Sequence, residues 1–151
     1  MKTRHRAYAY ITHQNRLLLF THPNQPESGI QVPAGTVKDE EDAATAALRE
    51  ATEETGLPYL KLAGFLGQDT RDMRDCGTEE LQYRWFYHVT CEGMPPENWI
   101  HGEHDPKGKL IIPFDFFWAS LSDGLPKLVA NYDDFVPQLL DCLKRRNEPA
   151  S

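Results

Sequence analysis

Between Gly35 and Leu57 the chain sets acidic and basic side chains at intervals suited to metal-ion chemistry. The run carries Gly35, Glu41, Arg49, Glu50, Glu53, Glu54, Gly56 and Leu57. On a helix turning about 100° per residue, Glu50, Glu53 and Glu54 share one arc of about 100°. Three carboxylates so placed repel one another unless a cation lies among them, and hard divalent cations favour oxygen ligands. Arg49 borders the arc within ion-pair reach of Glu53. Glu41, ahead of the helix, can fold back onto the Arg49 guanidinium. Charge alone would describe a solvated helix face equally well.

These groups need a helix with a packing face and a sheet to receive it. Residues 42–55 carry the helix signals: Asp42 as N-cap, an alanine-rich interior, then Gly56 and Pro58 as the stop. With Ala44 as origin, Ala47, Leu48 and Ala51 fall within about 60° of it, so these four residues form the stripe expected to pack. Upstream, residues 5–12 and 17–21 read as a hairpin around a turn at 13–16, residues 22–29 as a loop, and residues 31–35 as a short strand entering a tight turn. Downstream, residues 59–67 read as a strand broken at Gly64 and residues 69–80 as a loop. Residues 81–89 form a strand with Leu81, Tyr83, Trp85, Tyr87 and Val89 on one face and Gln82, Arg84, Phe86 and His88 on the other. Residues 92–109, rich in Pro and Gly, read as loop. Residues 110–121 return to strand, with Pro113 marking a bulge or edge. A closing helix runs to Arg145 from a start near residues 134–136. This order predicts an α+β chain with a mixed sheet, one domain over residues 1–151.

Sixteen Lys and Arg against 23 Asp and Glu give a net charge of −7. That balance excludes passive electrostatic binding to duplex DNA or to an anionic membrane. A polyphosphate remains accessible when divalent cations sit between it and the acids. No apolar run approaches the ~20 residues of a membrane helix. The opening residues lack the apolar core of a signal peptide. Cys76, Cys91 and Cys142 are odd in number and widely spaced, which points to a reducing, cytoplasmic setting. Arg4, Arg6 and Tyr8 share a face of the first strand, and Arg84 and Phe86 share one on the strand at 81–89; these are candidates for phosphate contact and base stacking. Trp85, Phe117 and Trp118 are expected in the core. His101 and His104 lack the third partner a transition-metal site needs.

The segment from Gly35 to Leu57 resembles the Nudix box, G-x5-E-x7-R-E-U-x-E-E-x-G-U, where U is a bulky aliphatic residue. Gly35, Glu41, Arg49, Glu50, Glu53, Glu54 and Gly56 fill all seven fixed positions, and Leu57 fits the last U. Ala51 is smaller than the usual residue at the first U. Pro33-Ala34-Gly35 is similar to the Pro-Gly-Gly turn that enters the box. The resemblance implies an α/β/α sandwich and Mg²⁺-dependent hydrolysis, with Mn²⁺ as a second metal. The bond cleaved would be the diphosphate bridge of a nucleoside diphosphate linked to a moiety X. By position, Glu50, Glu53, Glu54 and the Gly35 carbonyl would be metal ligands, oriented by Arg49 and Glu41. The base would be a box glutamate or an acid from a later segment. Glu103, ahead of the last aromatic strand, is chosen there over Asp105, Glu79 and Glu80. The implied partner is a nucleotide-type small molecule, with a homodimer left open. The alternatives are a catalytically silent nucleotide-sensing module or, within the class, a hydrolase of RNA 5′ ends or dinucleoside polyphosphates.

Overall fold

In the computed structural model, which describes residues 1–146, seven strands form one mixed sheet with a helix on each face. Residues 147–151, the end of the expected domain, lie outside the described residues. The strands are β1 (Lys2–His13), β2 (Arg16–Thr21), β3 (Ala34–Thr36), β4 (Leu60–Asp72), β5 (Glu80–Cys91), β6 (Asn98–His104) and β7 (Leu110–Ser120). The helices are α1 (Ala43–Thr55) and α2 (Val136–Arg146). The sheet order is β4-β5-β1-β2-β7-β6, with β3 paired to β1. Among the described residues, only β1 and β5 run parallel.

The β1–β2 turn places Gln14 and Asn15 at φ 51° and 59°, the left-handed pair of a tight hairpin. Beyond it β1 and β2 pair at only two positions, Thr12–Leu17 and His13–Arg16. The segment leading into β3 then takes over that edge of β1, through Tyr8–Ala34, Ala7–Gly35 and Arg6–Thr36. The separation opens a recess with Gly35 on its wall.

Side-chain alternation along β1 divides the core. Ala7, Ala9 and Ile11 face α1, whose Ala46, Ala47 and Ala51 lie on them, small residue against small residue. Tyr8 and Tyr10 face α2 and pack with Leu17, Leu19, Phe86, Tyr132 and Leu139.

The α1 ends follow the sequence. The Asp42 carboxylate accepts the Thr45 N–H at 2.7 Å, and Gly56 closes the helix at φ 71°, its N–H bonded to Thr52 O at 3.0 Å. The packing face does not. Buried residues are Ala46, Ala47, Ala51, Glu54 and Thr55, while Ala44 and Leu48 are half-buried. The helix is rotated from the expected stripe so that Glu54 points inward.

Two segments read as loop are strand. β4 continues through residues 69–72, and Gly64 marks a register shift within it rather than a break. β6 lies inside the expected loop at 92–109, bracketed by Pro95 and Pro96 before it and Pro106 after it. On β5 the polar-bearing face is the buried one. Arg84, 1% exposed, donates to both Asp69 oxygens at 2.7 and 2.6 Å and to Ala130 O at 2.8 Å. His88 bonds Thr12 Oγ1 at 2.7 Å. Trp85, expected in the core, is half-buried with its ring stacked on His5.

Candidate active site

Glu54 lies in the last turn of α1 at 5% exposure, and its carboxylate accepts the Ala34 N–H at 3.0 Å. One turn earlier, the Glu50 carboxyl fills the space beside Gly35, where a Cβ would lie 2.0 Å from Glu50 Cδ. The turn into β3 therefore brings bare backbone against both carboxylates. Gly35→Ala should push Glu50 out of place. A displacement near 1 Å costs about 10²-fold in rate, so turnover should fall by that order with the circular dichroism spectrum unchanged. Wild-type turnover in this variant would mean that Glu50 has no fixed role.

Arg49 ties the rest together. Its Nε and Nη2 donate to the two Glu41 oxygens at 2.8 and 3.0 Å, and Nη2 also reaches Thr36 O at 3.2 Å. Its Nη1 donates to Glu50 at 2.8 Å and to the exposed Glu53 at 3.4 Å. Glu41 also accepts the Lys38 N–H at 3.0 Å. The Arg49 hydrogen bonds and that N–H pull the Glu41 carboxyl down to about 2. Glu41 is thus a fixed anion that holds Arg49, as the sequence suggested.

The inner pair behaves in the opposite way. Burial, then the neighbouring Glu50 charge, pushes Glu54 well above the usual carboxylate range against the Ala34 N–H and Arg6. Burial also raises Glu50, although Arg49 opposes it. Two desolvated carboxylates with too little positive charge nearby are suited to a cation. Among the described residues, no group of three His, Cys, Asp or Glu side chains converges tightly enough to enclose a metal ion as they stand; Arg49 draws Glu50 and Glu53 towards itself. The donor set is all oxygen and under-neutralised, and in that chemical sense it fits a hard divalent ion.

A cleft of about 490 Å³ opens over these acids, lined by Glu50, Glu53, Glu54, Gly102, Glu103 and His104. A recess of about 210 Å³ adjoins it, with Arg6, His22, Gln31 and Gly35 on its walls and Glu50, Glu54 and Glu103 shared with the cleft. The fold thus brings Glu103 and Arg6 to the box carboxylates. Arg6 Nε has no hydrogen-bond partner among the described residues. Burial opposes the charge on Arg6, but Tyr8, Tyr132 and Glu54 more than offset it and the pKa rises.

Other expected contacts are not brought there. Tyr8 and Phe86 have no exposed surface and stack on each other at 4.6 Å, with the Tyr8 hydroxyl donating to Gln82 at 2.6 Å. Arg84 is committed to Asp69. These three are core residues, because each found a partner far along the chain. Arg4 pairs with Glu80 at 3.4 Å, and Asp105 caps its own turn by accepting the Lys107 and Lys109 N–H groups. His101 and His104 bond backbone carbonyls, of Glu54 and Gly102. His22, Gln31 and Gly102 were missed by sequence reasoning; only the alternation of Trp99, His101 and Glu103 offered a signal, that of a strand.

The profile of the NUDIX domain matches residues 2–139. No functionally curated protein matches the chain. Among solved structures, a UDP-X diphosphatase superposes with a TM-score of 0.65 at 15% identity, over 97% of this chain and 66% of that one. A MutT protein from Methanosarcina mazei superposes at 0.63 with 19% identity, over 98% and 97%. An ADP-ribose pyrophosphatase from Streptococcus suis gives 0.57 with 18% identity, over 97% and 94%. These likenesses establish the α/β/α sandwich. With the domain match across almost the whole described chain and the box acids gathered in one cleft, the protein belongs to the Nudix family of pyrophosphate-bond hydrolases.

Proposed function

We propose that the cleft hydrolyses the diphosphate bridge of a nucleoside diphosphate linked to a second moiety, with Mg²⁺ as the metal and Mn²⁺ as a substitute. The observation that carries this reading is the inward pair Glu50 and Glu54, desolvated and under-neutralised against the bare backbone of Gly35. Glu50, Glu53, Glu54 and the Gly35 carbonyl would hold the metal, which supplies charge neutralisation at the phosphate oxygens and a more acidic bound water. Arg49, locked by Glu41, aims Glu50 and Glu53. Glu103, across the cleft on β6, takes the proton from the attacking water as general base. Arg6, on the wall of the adjoining recess, directs its positive charge toward a phosphate oxygen.

The substrate is read as a small nucleotide. Two of the superposed structures carry the names UDP-X diphosphatase and ADP-ribose pyrophosphatase, which supports the linked-diphosphate class over an RNA 5′ end or a dinucleoside polyphosphate. A reducing, cytoplasmic setting is consistent with cysteines that form no disulfide among the described residues. No helix among them is long and apolar enough to cross a membrane.

The test is a product-mass screen with Mg²⁺ over dNTPs, nucleotide sugars, dinucleoside polyphosphates, dinucleotide cofactors and 5′-triphosphate RNA, with Glu54→Gln as control. Cleavage of a linked nucleoside diphosphate into a nucleoside monophosphate and a phosphorylated X, absent in the control, is the expected result. Tight nucleotide binding with no cleavage of any of them would replace the hydrolase by a sensing module.

A further inference from the structure

Strand β6 is the far edge of the sheet and, among the described residues, pairs only with β7, yet it carries Glu103 to the box acids. Side chains at every second residue of a strand share a face, so Trp99, His101 and Glu103 all point toward α1. Trp99 Nε1–H donates to Thr55 O at 2.8 Å. His101 Nδ1 lies 2.8 Å from Glu54 O. A carbonyl only accepts, so Nδ1 carries the proton. These carbonyls belong to the last turn of α1, where a helix leaves its C=O groups without intrahelical partners. Two ring N–H groups of β6 therefore cap the helix that bears the acids.

The rest of the strand is fixed just as closely. The Trp99 ring stacks on Phe116 of β7 at 5.1 Å. The His101 ring occupies the space over Gly56, where a Cβ would come within 2.7 Å of Nε2. Gly102 lies so close to β7 that a Cβ would meet Ile112 O at 2.1 Å, and the register shifts immediately after Glu103. The extra residue of that shift, Ile111, lies on β7, so β6 stays in regular alternation through Glu103. Glu103 follows His101 by about 7 Å of strand. Glu54 is held at one end, through its carbonyl, by the same strand that places Glu103 opposite its carboxylate.

We propose that Trp99 and His101 are positioning residues for hydrolysis, setting the span between Glu103 and Glu54 by capping the end of α1. The proposal rests on the reading of Glu103 as general base. Neither side chain touches substrate. Their loss lets β6 move against the helix and carries Glu103 out of reach of the water, with the metal ligands left in place.

The test is a double-mutant cycle on the full chain. ADP-ribose, UDP-glucose and dGTP are offered with Mg²⁺, and the one that the wild type cleaves fastest is used. Trp99→Phe keeps the ring and removes the donor; His101→Leu removes the donor, and His101→Asn restores one near the Nδ1 position. Trp99→Phe and His101→Leu should each lower kcat about 10- to 100-fold, with KM and the Kd for Mn²⁺ alone, read by electron paramagnetic resonance, within about two-fold. His101→Asn should recover most of the loss. In a Glu103→Gln background neither substitution should lower kcat further, because groups acting through one residue are not additive. The His101 pair carries the test if Trp99→Phe does not fold. Equal losses in both backgrounds, unchanged kcat, or a loss that tracks weakened Mn²⁺ binding would overturn the proposal. Wild-type activity undiminished by Glu103→Gln would remove its base, and no cleavage by the wild type would overturn the hydrolase reading along with it.

Discussion

Glu54→Gln should make the metal-free protein more stable at neutral pH while lowering its hydrolysis by orders of magnitude. Glu54 is buried with a single N–H donor, and its pKa lies well above the ordinary value of 4.5. The folded protein therefore binds that proton more tightly than the unfolded chain does. The stability contributed by protonated Glu54 is complete below about pH 4.5 and is lost as pH rises through the folded-state pKa. Glutamine keeps the shape and an oxygen to accept the Ala34 N–H, and it has no charge to desolvate. The variant should melt a few degrees higher at pH 7, at about 2–4 °C per kcal/mol for a domain of this size. The gap should close toward pH 5. Mg²⁺ should raise the wild-type melting temperature through binding to the folded state and leave the variant nearly unmoved. Hydrolysis should fall by about 10²–10³-fold, the scale of several kcal/mol of lost transition-state charge stabilisation. The measurement is a set of melting curves between about pH 5 and pH 8, with and without Mg²⁺, beside turnover. Parallel pH profiles for the two proteins would mean that Glu54 is not an under-neutralised charge, and the metal site would lose its main support.

The acids of this site were legible through the resemblance, whose pattern fixes residue type and spacing at Glu41, Arg49, Glu50, Glu53 and Glu54; their charge alone fits a solvated helix face. Asp42 and Gly56 were legible directly, since capping depends on a short acceptor and a left-handed backbone. What failed was the reading of shared strand faces, such as that of Arg84 and Phe86, as contact surfaces for substrate. Arg84, Gln82 and His88 look like a surface face on β5, but each is partnered by a group brought from elsewhere: Asp69 and Ala130, Tyr8, and Thr12. Those partners are set by topology, which no local window contains. β6 was hidden by its composition. Gly102, needed for close approach to β7, and the prolines on either side made the segment look broken, although its alternating Trp99, His101 and Glu103 already had the period of a strand.

The helix rotation is the sharpest of these differences, and two substitutions separate its two versions. Spacing alone puts Ala44 at the centre of the packing stripe; the structure puts Ala47 there, 1% exposed, against Ala7 and Ala46, each at 0%. Alanine on alanine brings α1 so close to the sheet that a longer side chain has nowhere to go. Ala47→Glu would bury a carboxylate with no cation in contact, a change that costs about 3–5 kcal/mol when a buried charge lacks its partner, with overpacking in addition. Against a total stability of about 5–15 kcal/mol, most molecules would be unfolded or close to it. Ala44 instead borders an open groove with Thr45, Leu48 and Leu62, so a glutamate there can reach water. It also lies in the first turn of α1, where negative charge favours the helix dipole. Ala44→Glu should therefore shift stability by no more than about 0.5 kcal/mol. Urea midpoints of the two variants decide the matter. If Ala44→Glu is the one that unfolds, α1 faces the sheet through the stripe read from spacing, Glu54 turns toward solvent, and its raised pKa disappears with its burial.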